Sequence, residues 1–228
     1  MSLTTAQHDI LVKYLKEIEI KTQEPFEEFY DHIATAIEKE QPDDINEFIR
    51  EVIQPSFGGV KGIKRILLNQ RELRQKLIWK RAKKIFWSLF GWPSIVLIMI
   101  GFILVQISFN QFGLKFTMGL TLSLGLFLPF LIYLIAAIRL FILFGYENKP
   151  YNSTESLKAI FTLIHLPIAL LNVLNFLIVP IIFGRGAFTT FLLNNVWANT
   201  LLCAFALLYG FTCLKLLKEN FTFKLELK

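Results

Sequence analysis

The sequence predicts an all-α protein in which a small amino-terminal helical bundle precedes a bundle of four transmembrane helices. Hydrophobic residues make up 54% of the 228 residues, and the mean hydropathy is +0.50, which is too apolar for an ordinary soluble chain of this size. The apolar residues are also unevenly placed, because residues 1–84 are polar and long uncharged runs begin near Ile85. Four of those runs reach the roughly 20 residues that a helix needs to cross a bilayer.

These runs and the polar segments around them give the expected domain organisation. Backbone polar groups inside lipid must bond within their own segment, so the spans should be helices. We expect transmembrane helices near 87–109, 116–138, 160–183 and 190–214. Around them we expect an acidic helical domain at 1–59, a basic amphipathic helix at 60–86, a membrane region at 87–217 and a tail at 218–228.

Charge is distributed in blocks along the amino-terminal part. Residues 1–60 hold 5 Lys/Arg and 13 Asp/Glu, a net −8, whereas residues 61–84 hold 10 Lys/Arg and one glutamate, a net +9. A basic segment next to an apolar run favours anionic lipid as its partner over nucleic acid. We therefore expect a lipid-facing basic neck, with Lys80, Arg81, Lys83 and Lys84 at its end, and no nucleic-acid partner.

Loop charges predict the orientation of the spans. Four cations directly precede the first span, whereas the first and third loops hold only Lys115 and Arg185. Because cytoplasmic loops carry the excess of Lys and Arg, both termini should be cytoplasmic.

Helical periodicity and capping residues define the amino-terminal domain. Thr4 with Gln7 matches a capping box, Pro25 suits the first turn of a second helix, and Asp43 or Asp44 can cap a third. Apolar stripes at helical spacing then predict the buried faces. The stripes are Ile10, Leu11, Tyr14, Leu15 and Ile18; Phe26, Phe29, Tyr30, Ile33 and Ile37; Ile45, Phe48, Ile49 and Val52; and Ile63, Ile66, Leu67, Leu73, Leu77 and Ile78.

Three ionisable residues lie off the apolar face of the second helix. Glu28 and His32 are one turn apart and could share a metal ion, but a zinc site needs more ligands, and the nearest other histidine, His8, is on another helix. Glu28, Asp31 and His32 are therefore expected to form a surface for a protein partner, and no metal or cofactor is expected.

Four short motifs then suggest a family. They are Leu3-Thr4-Thr5-Ala6-Gln7, Tyr14-Leu15, Tyr30-Asp31-His32 and Ile37-Glu38. With them, residues 3–70 resemble the HAAS-type helical domains of bacterial membrane proteins often encoded beside PadR-type repressors, in particular the flavobacterial and Bacteroidetes versions. The chain departs from that pattern at Tyr30, where leucine is usual. The resemblance implies a cytoplasmic module with a role in signalling or regulation, in a multi-pass protein of the bacterial inner membrane, and it implies no reaction.

The predicted spans contain no aspartate or glutamate, which disfavours aspartyl proteolysis, carboxylate proton relays and membrane metallohydrolases. Their polar residues include a possible intramembrane cluster of His165, Asn172, Asn175, Asn195 and Asn199. Such residues usually form hydrogen bonds between helices, and a polar pathway or ligand pocket is the alternative.

The function expected from these features is that of a non-enzymatic regulatory or accessory membrane protein. Its amino-terminal domain would bind a protein partner or a second copy of the chain, and its spans would contact the lipid bilayer. The alternative is a small transporter or channel with a polar pathway between the third and fourth spans.

Overall fold

The computed structural model describes residues 3–184 and 186–221. The described residues form an all-α fold, as predicted, with one isolated β-bridge between Thr22 and Ser153 and no strand. The α-helices are α1 (Thr5–Glu17), α2 (Gln23–Glu40), α3 (Ile45–Phe48), α4 (Gln54–Ser56), α5 (Gly59–Ser88), α6 (Ser94–Phe112), α7 (Leu114–Leu122), α8 (Leu128–Tyr146), α9 (Glu155–Val173), α10 (Val179–Phe183), α11 (Ala187–Asn194) and α12 (Val196–Asn220). π-helical turns at Ile49–Ile53, Ser123–Phe127 and Leu174–Ile178 join α3 to α4, α7 to α8 and α9 to α10.

The chain divides into two compact units whose boundaries differ from the domain boundaries expected from composition. The first unit, which we call the head unit, takes in the described residues up to Lys76 together with Ala137–Ala159. The second, the membrane unit, takes in Leu77–Ala136 and the described residues from Ile160 onward. The predicted division at 59/60 is thus not a boundary between units, and the loop between the second and third spans belongs to the head unit.

The core of the head unit largely follows the predicted stripes. The Thr4–Gln7 capping box is present, and the Asp44 carboxylate accepts the first N–H groups of α3. One buried cluster joins α1, α2, the α3–α4 segment, the start of α5, a residue near the end of α8 and a residue of the loop that follows α8. Its members are Leu11, Leu15, Ile20, Phe26, Phe29, Ile33, Ile37, Ile45, Ile49, Ile53, Ile63, Phe144 and Tyr151.

The prediction was wrong at Val52, which is 50% exposed, while Ile53 is buried in its place. The cause is the π-helical turn, whose i→i+5 hydrogen bonds place more residues in one turn than the 3.6 of an α-helix. The wider turn rotates Ile53 toward the core and Val52 away from it. Each of the three π turns ends two residues before a proline, namely Pro55, Pro129 and Pro180. Proline cannot donate to the carbonyl four residues back, and the widened turn accommodates its ring.

The basic helix α5 also departs from its predicted stripe. Ile63 is buried and Ile66 and Leu67 are half-buried in the head unit, but Leu73 and Leu77 are exposed. Farther along, in the membrane unit, the buried residues are Ile78, Ala82 and Ile85. The single apolar stripe that helical spacing predicts for α5 is therefore divided into two short buried stripes.

Within residues 3–184 and 186–221, four helical segments are long and apolar enough to cross a membrane, and the protein is accordingly a multi-pass membrane protein. Their observed bounds are Ser94–Phe112, Leu114–Tyr146, Glu155–Phe183 and Val196–Asn220. The first span begins seven residues later than predicted, and the fourth span begins six residues later. Pro93, expected inside the first span, instead precedes it. Residues 222–228 of the predicted tail lie outside the described residues, and so does Arg185.

Candidate functional site

A short loop between the second and third spans pairs with the segment that joins α1 to α2. The Gln23 N–H donates to the Ser153 carbonyl at 3.0 Å, and the Asn152 N–H donates to the Lys21 carbonyl at 3.3 Å. Together with the parallel bridge between Thr22 and Ser153, these bonds fix the register of the loop on the head unit. The segment is in place because α1 ends just before it, where Glu19 adopts a left-handed conformation.

Tyr151 is the side chain that anchors this loop. It is only 6% exposed and lies edge-on to Phe26 and Phe144, with ring centroids 5.7 and 5.0 Å away. Its hydroxyl donates to Glu27 Oε1 at 2.8 Å, so the buried ring keeps a partner for its polar end. Burial, and then the bond to Glu27, raise the pKa of the Tyr151 phenol.

Glu24 caps the helix that follows the loop. Its Oε2 accepts the Glu155 N–H at 2.8 Å and its Oε1 accepts the Ser156 hydroxyl at 3.4 Å, at the start of α9. The first N–H groups of a helix lack internal partners and carry partial positive charge, so a carboxylate stabilises this end. Thr154 adds a local cap by accepting the Leu157 N–H at 3.1 Å. A residue of α2 thus satisfies the first turn of the helix that becomes the third span.

These contacts join the amino-terminal domain to both helices that flank the loop. α8 continues from the second span and α9 leads into the third, and the loop between them is held by Lys21–Glu27. Because one folded unit cannot lie on both sides of a bilayer, the amino-terminal domain and this loop share one side.

The amino-acid sequence did not predict this site. The Lys21–Glu24 segment falls between the apolar stripes of the first two helices, and Tyr151 lies in a polar loop without periodicity. The available signal was a single aromatic residue, after Pro150, in the longest of the loops between spans.

The three residues predicted to form a partner surface are all exposed, but they do not act together. Glu28 accepts a hydrogen bond from Gln70 of α5, so it faces another helix of the head unit. Asp31 borders an open groove of about 730 Å³ with His8 and Tyr30, and His32 does not line it. His8 Nδ1 and the Tyr30 hydroxyl lie 2.7 Å apart, so His8 contacts Tyr30 at this surface and Asp31 lies beside that pair. Among the described residues no three His, Cys, Asp or Glu side chains are grouped to hold a metal ion.

The end of the basic neck is held by an ion pair. Arg81 donates from Nε and Nη2 to the two carboxylate oxygens of Glu219, each at 2.8 Å. Lys80, Lys83 and Lys84 are exposed. Arg81 precedes the first span and Glu219 ends the fourth, so both ends of the membrane unit lie on one side of the bilayer, as four spans require.

His165, the first of the predicted intramembrane polar residues, lies among aromatic rings. Its ring stacks on Phe130, with centroids 5.4 Å apart and planes 10° apart, and it also contacts Phe161 at 4.4 Å. Its Nδ1 is buried without a partner.

Asn199 has a structural role in the fourth span. It is fully buried, and its side-chain amide donates to the Leu192 carbonyl across the break between α11 and α12. Asn195 is exposed at that break, Asn172 is exposed and Asn175 is half-buried. No hydrogen bond found within the described part of the chain joins His165 and these asparagines to one another.

Other polar side chains that were not predicted bond between spans. Gln106 donates to the Thr200 hydroxyl at 3.0 Å, Ser108 and Thr117 share a bond of 2.9 Å, and Thr121 donates to Cys203 Sγ at 2.9 Å. Hydrogen bonding between helices is thus the observed use of polar groups at these positions.

No protein-family model, curated protein or solved structure matches the chain. The resemblance to HAAS-type domains therefore stays a prediction based on the short motifs.

Proposed function

We propose that the protein is a non-enzymatic regulatory or accessory protein of the bacterial inner membrane, whose cytoplasmic amino-terminal domain binds a protein partner. The observation that supports this proposal is the docking of the loop at residues 147–154 onto Lys21–Glu27. A partner that binds the amino-terminal domain would affect the ends of the second and third spans through the contacts of Tyr151 and Glu24, and this effect requires no chemical reaction. The cytoplasmic location rests on the four cations before the first span.

The surface proposed for the partner is the open groove beside the His8–Tyr30 pair. Asp31 and Glu38 border this groove, and they lie in a sequence block of net charge −8. A partner with a basic contact surface is therefore favoured, since complementary charge sets orientation and association rate. Glu28 is left out of this surface because Gln70 already binds it.

Native co-purification tests the proposal. The tagged full-length protein should retain a stoichiometric protein partner when extracted from its own membranes in mild detergent. Asp31→Lys should lose that partner, and Asp43→Lys, an equal charge change at another exposed position, should keep it.

Two results would refute the proposal. One is a protein that purifies without any partner and supports solute flux in liposomes, which favours the transporter or channel. The other is partner binding that Asp31→Lys and Asp43→Lys reduce equally, which removes the groove from the site.

A further inference from the structure

An apolar groove of about 360 Å³ lies between the first and fourth spans in the membrane unit. Its walls are two stretches of helix, Ser94–Val105 and Ala204–Lys215, each twelve residues long and thus eleven helical steps from end to end. At about 1.5 Å per residue the groove is roughly 16 Å deep, close to half of the roughly 30 Å hydrocarbon core of a bilayer. Its depth thus corresponds to one leaflet.

The two ends of the groove differ in chemistry. The inner part is lined by aliphatic and aromatic side chains, such as Ile98, Phe102 and Leu207. The mouth is polar, with Ser88, Ser94 and Lys215. Trp87 and Trp92 are exposed at that level, where tryptophan marks the membrane–water interface.

Positive charge collects at this mouth. Lys215 is exposed and lies one helical turn before Glu219, with which it interacts electrostatically, but it forms no ion pair within 4 Å among the described residues, because Glu219 pairs directly with Arg81. Lys84 is exposed and lies one helical turn before Ser88, hence on the same side of α5. Two cations and the Ser94 hydroxyl above an apolar slot complement a phosphate head group above an acyl chain, whereas the Ser88 hydroxyl donates to the Ile85 carbonyl.

Gly101 opens the middle of the groove. A Cβ built on Gly101 meets no atom within 4 Å, so the space beside it is vacant and no helix packs there. A larger side chain at this position would extend into the space that an acyl chain needs.

We propose that this groove is a binding site for one anionic glycerophospholipid, with an acyl chain along Gly101 and the head group at Lys215. The site is independent of the partner-binding function, because it uses no residue of the head unit. It lies in the leaflet on the side of Arg81 and Glu219.

Native mass spectrometry of the full-length protein in detergent, titrated with phosphatidylglycerol or phosphatidylcholine, tests the site. The wild type should retain one phosphatidylglycerol in preference to phosphatidylcholine. Gly101→Leu should weaken that binding by about tenfold or more, equivalent to about 1.4 kcal/mol. The matched control is Gly119→Leu, since Gly119 also has open space around its Cβ position but lies outside the groove.

Lys215→Gln supplies a second variant that leaves the apolar walls intact. It should bring the affinities for the two lipids close together while Gly101→Leu lowers both. Equal retention of phosphatidylglycerol by Gly101→Leu and Gly119→Leu would overturn the site. Equal binding of the two lipids by the wild type would overturn its preference for an anionic head group.

Discussion

The Glu24 carboxylate caps the backbone N–H of Glu155 at 2.8 Å, although the two residues are 131 positions apart and two predicted spans lie between them. The contact closes the head unit, because it fixes the start of α9 to α2. A carboxylate in this position acts both as a hydrogen-bond acceptor and as a charge at the positive end of a helix.

Glu24→Ala should loosen the first turn of α9. Loss of a helix cap costs about 0.5–2 kcal/mol, and the Glu155 and Ser156 groups would lose their acceptor. Hydrogen–deuterium exchange of residues 155–158 should therefore become faster. Glu38→Ala, at an exposed site on the same helix, serves as the control, and equal exchange in the two variants would contradict the cap.

Tyr151 should contribute more to the head unit than any other residue of its loop. Removing a buried aromatic side chain costs about 3–5 kcal/mol, so Tyr151→Ala should detach the loop and expose it to protease. Tyr151→Phe keeps the ring contacts and should lose only about 1 kcal/mol with the bond to Glu27. Tyr146→Ala provides the control, since Tyr146 is 86% exposed; cleavage as fast in this variant as in Tyr151→Ala would refute the anchor.

The Tyr151 phenol should also make the head unit sensitive to alkaline pH. Its pKa is raised in the folded protein by burial and by Glu27, so the neutral phenol is favoured there. The resulting stabilisation is complete below the unfolded value of about 10 and is lost as the pH rises toward the folded value.

Thermal unfolding followed by circular dichroism between pH 8 and pH 11 measures this effect. Tyr14 and Tyr30 also have raised pKa values, so the informative quantity is the difference between wild type and Tyr151→Phe. The advantage of the wild type should shrink above pH 10. An advantage that stays constant through this range would show that Tyr151 does not titrate in the folded unit as inferred.

The sequence predicted the buried positions well where apolar residues recur at helical spacing on one face of a helix. The capping box at Thr4 and the buried positions of α1 and α2 follow from local spacing, because a helix repeats every 3.6 residues. Val52 was misplaced because the π turn before Pro55 changes that period locally. The docking of Tyr151 onto Glu27 was not predictable, because it joins segments 124 positions apart and the loop that carries Tyr151 has no repeating pattern.

The amino-terminal domain and the loop at residues 147–154 should be protected together in intact cells. Cysteines introduced at Asp9 and Asn152, both exposed, should resist an impermeant thiol reagent until the membrane is permeabilised, because both are predicted to be cytoplasmic. A cysteine at Gln111, at the end of the first span, should react from outside. The native Cys203 and Cys213 are buried and give little background. Labelling at only one of positions 9 and 152 in intact cells would be incompatible with one folded unit.

The second and fourth spans should separate if a side chain is added where they cross. A Cβ built on Gly210 would lie closer than 3 Å to Gly125, and one built on Gly125 would also lie closer than 3 Å to the backbone of Ala206. The Gly125 carbonyl is the one that Pro129 leaves without its usual donor, so the close approach and the π turn occur together. Ala206 and Gly210, four residues apart on one helix, thus pack closely against Gly125, as small residues at this spacing often do, whereas Gly119 faces open space.

Gly210→Ala should therefore destabilise the membrane unit, by at least the 1–3 kcal/mol typical of an overpacked core, because backbone atoms cannot move aside as a flexible side chain can. Gly119→Ala is the matched control: both changes gain the helix propensity of alanine, about 1 kcal/mol, but only Gly210→Ala meets another helix. The difference between their thermal unfolding temperatures in detergent measures the crossing contact. Gly125→Ala should resemble Gly210→Ala, since the two glycines occupy opposite sides of one contact. If both variants unfold at the temperature of Gly119→Ala, the second and fourth spans do not cross at this point.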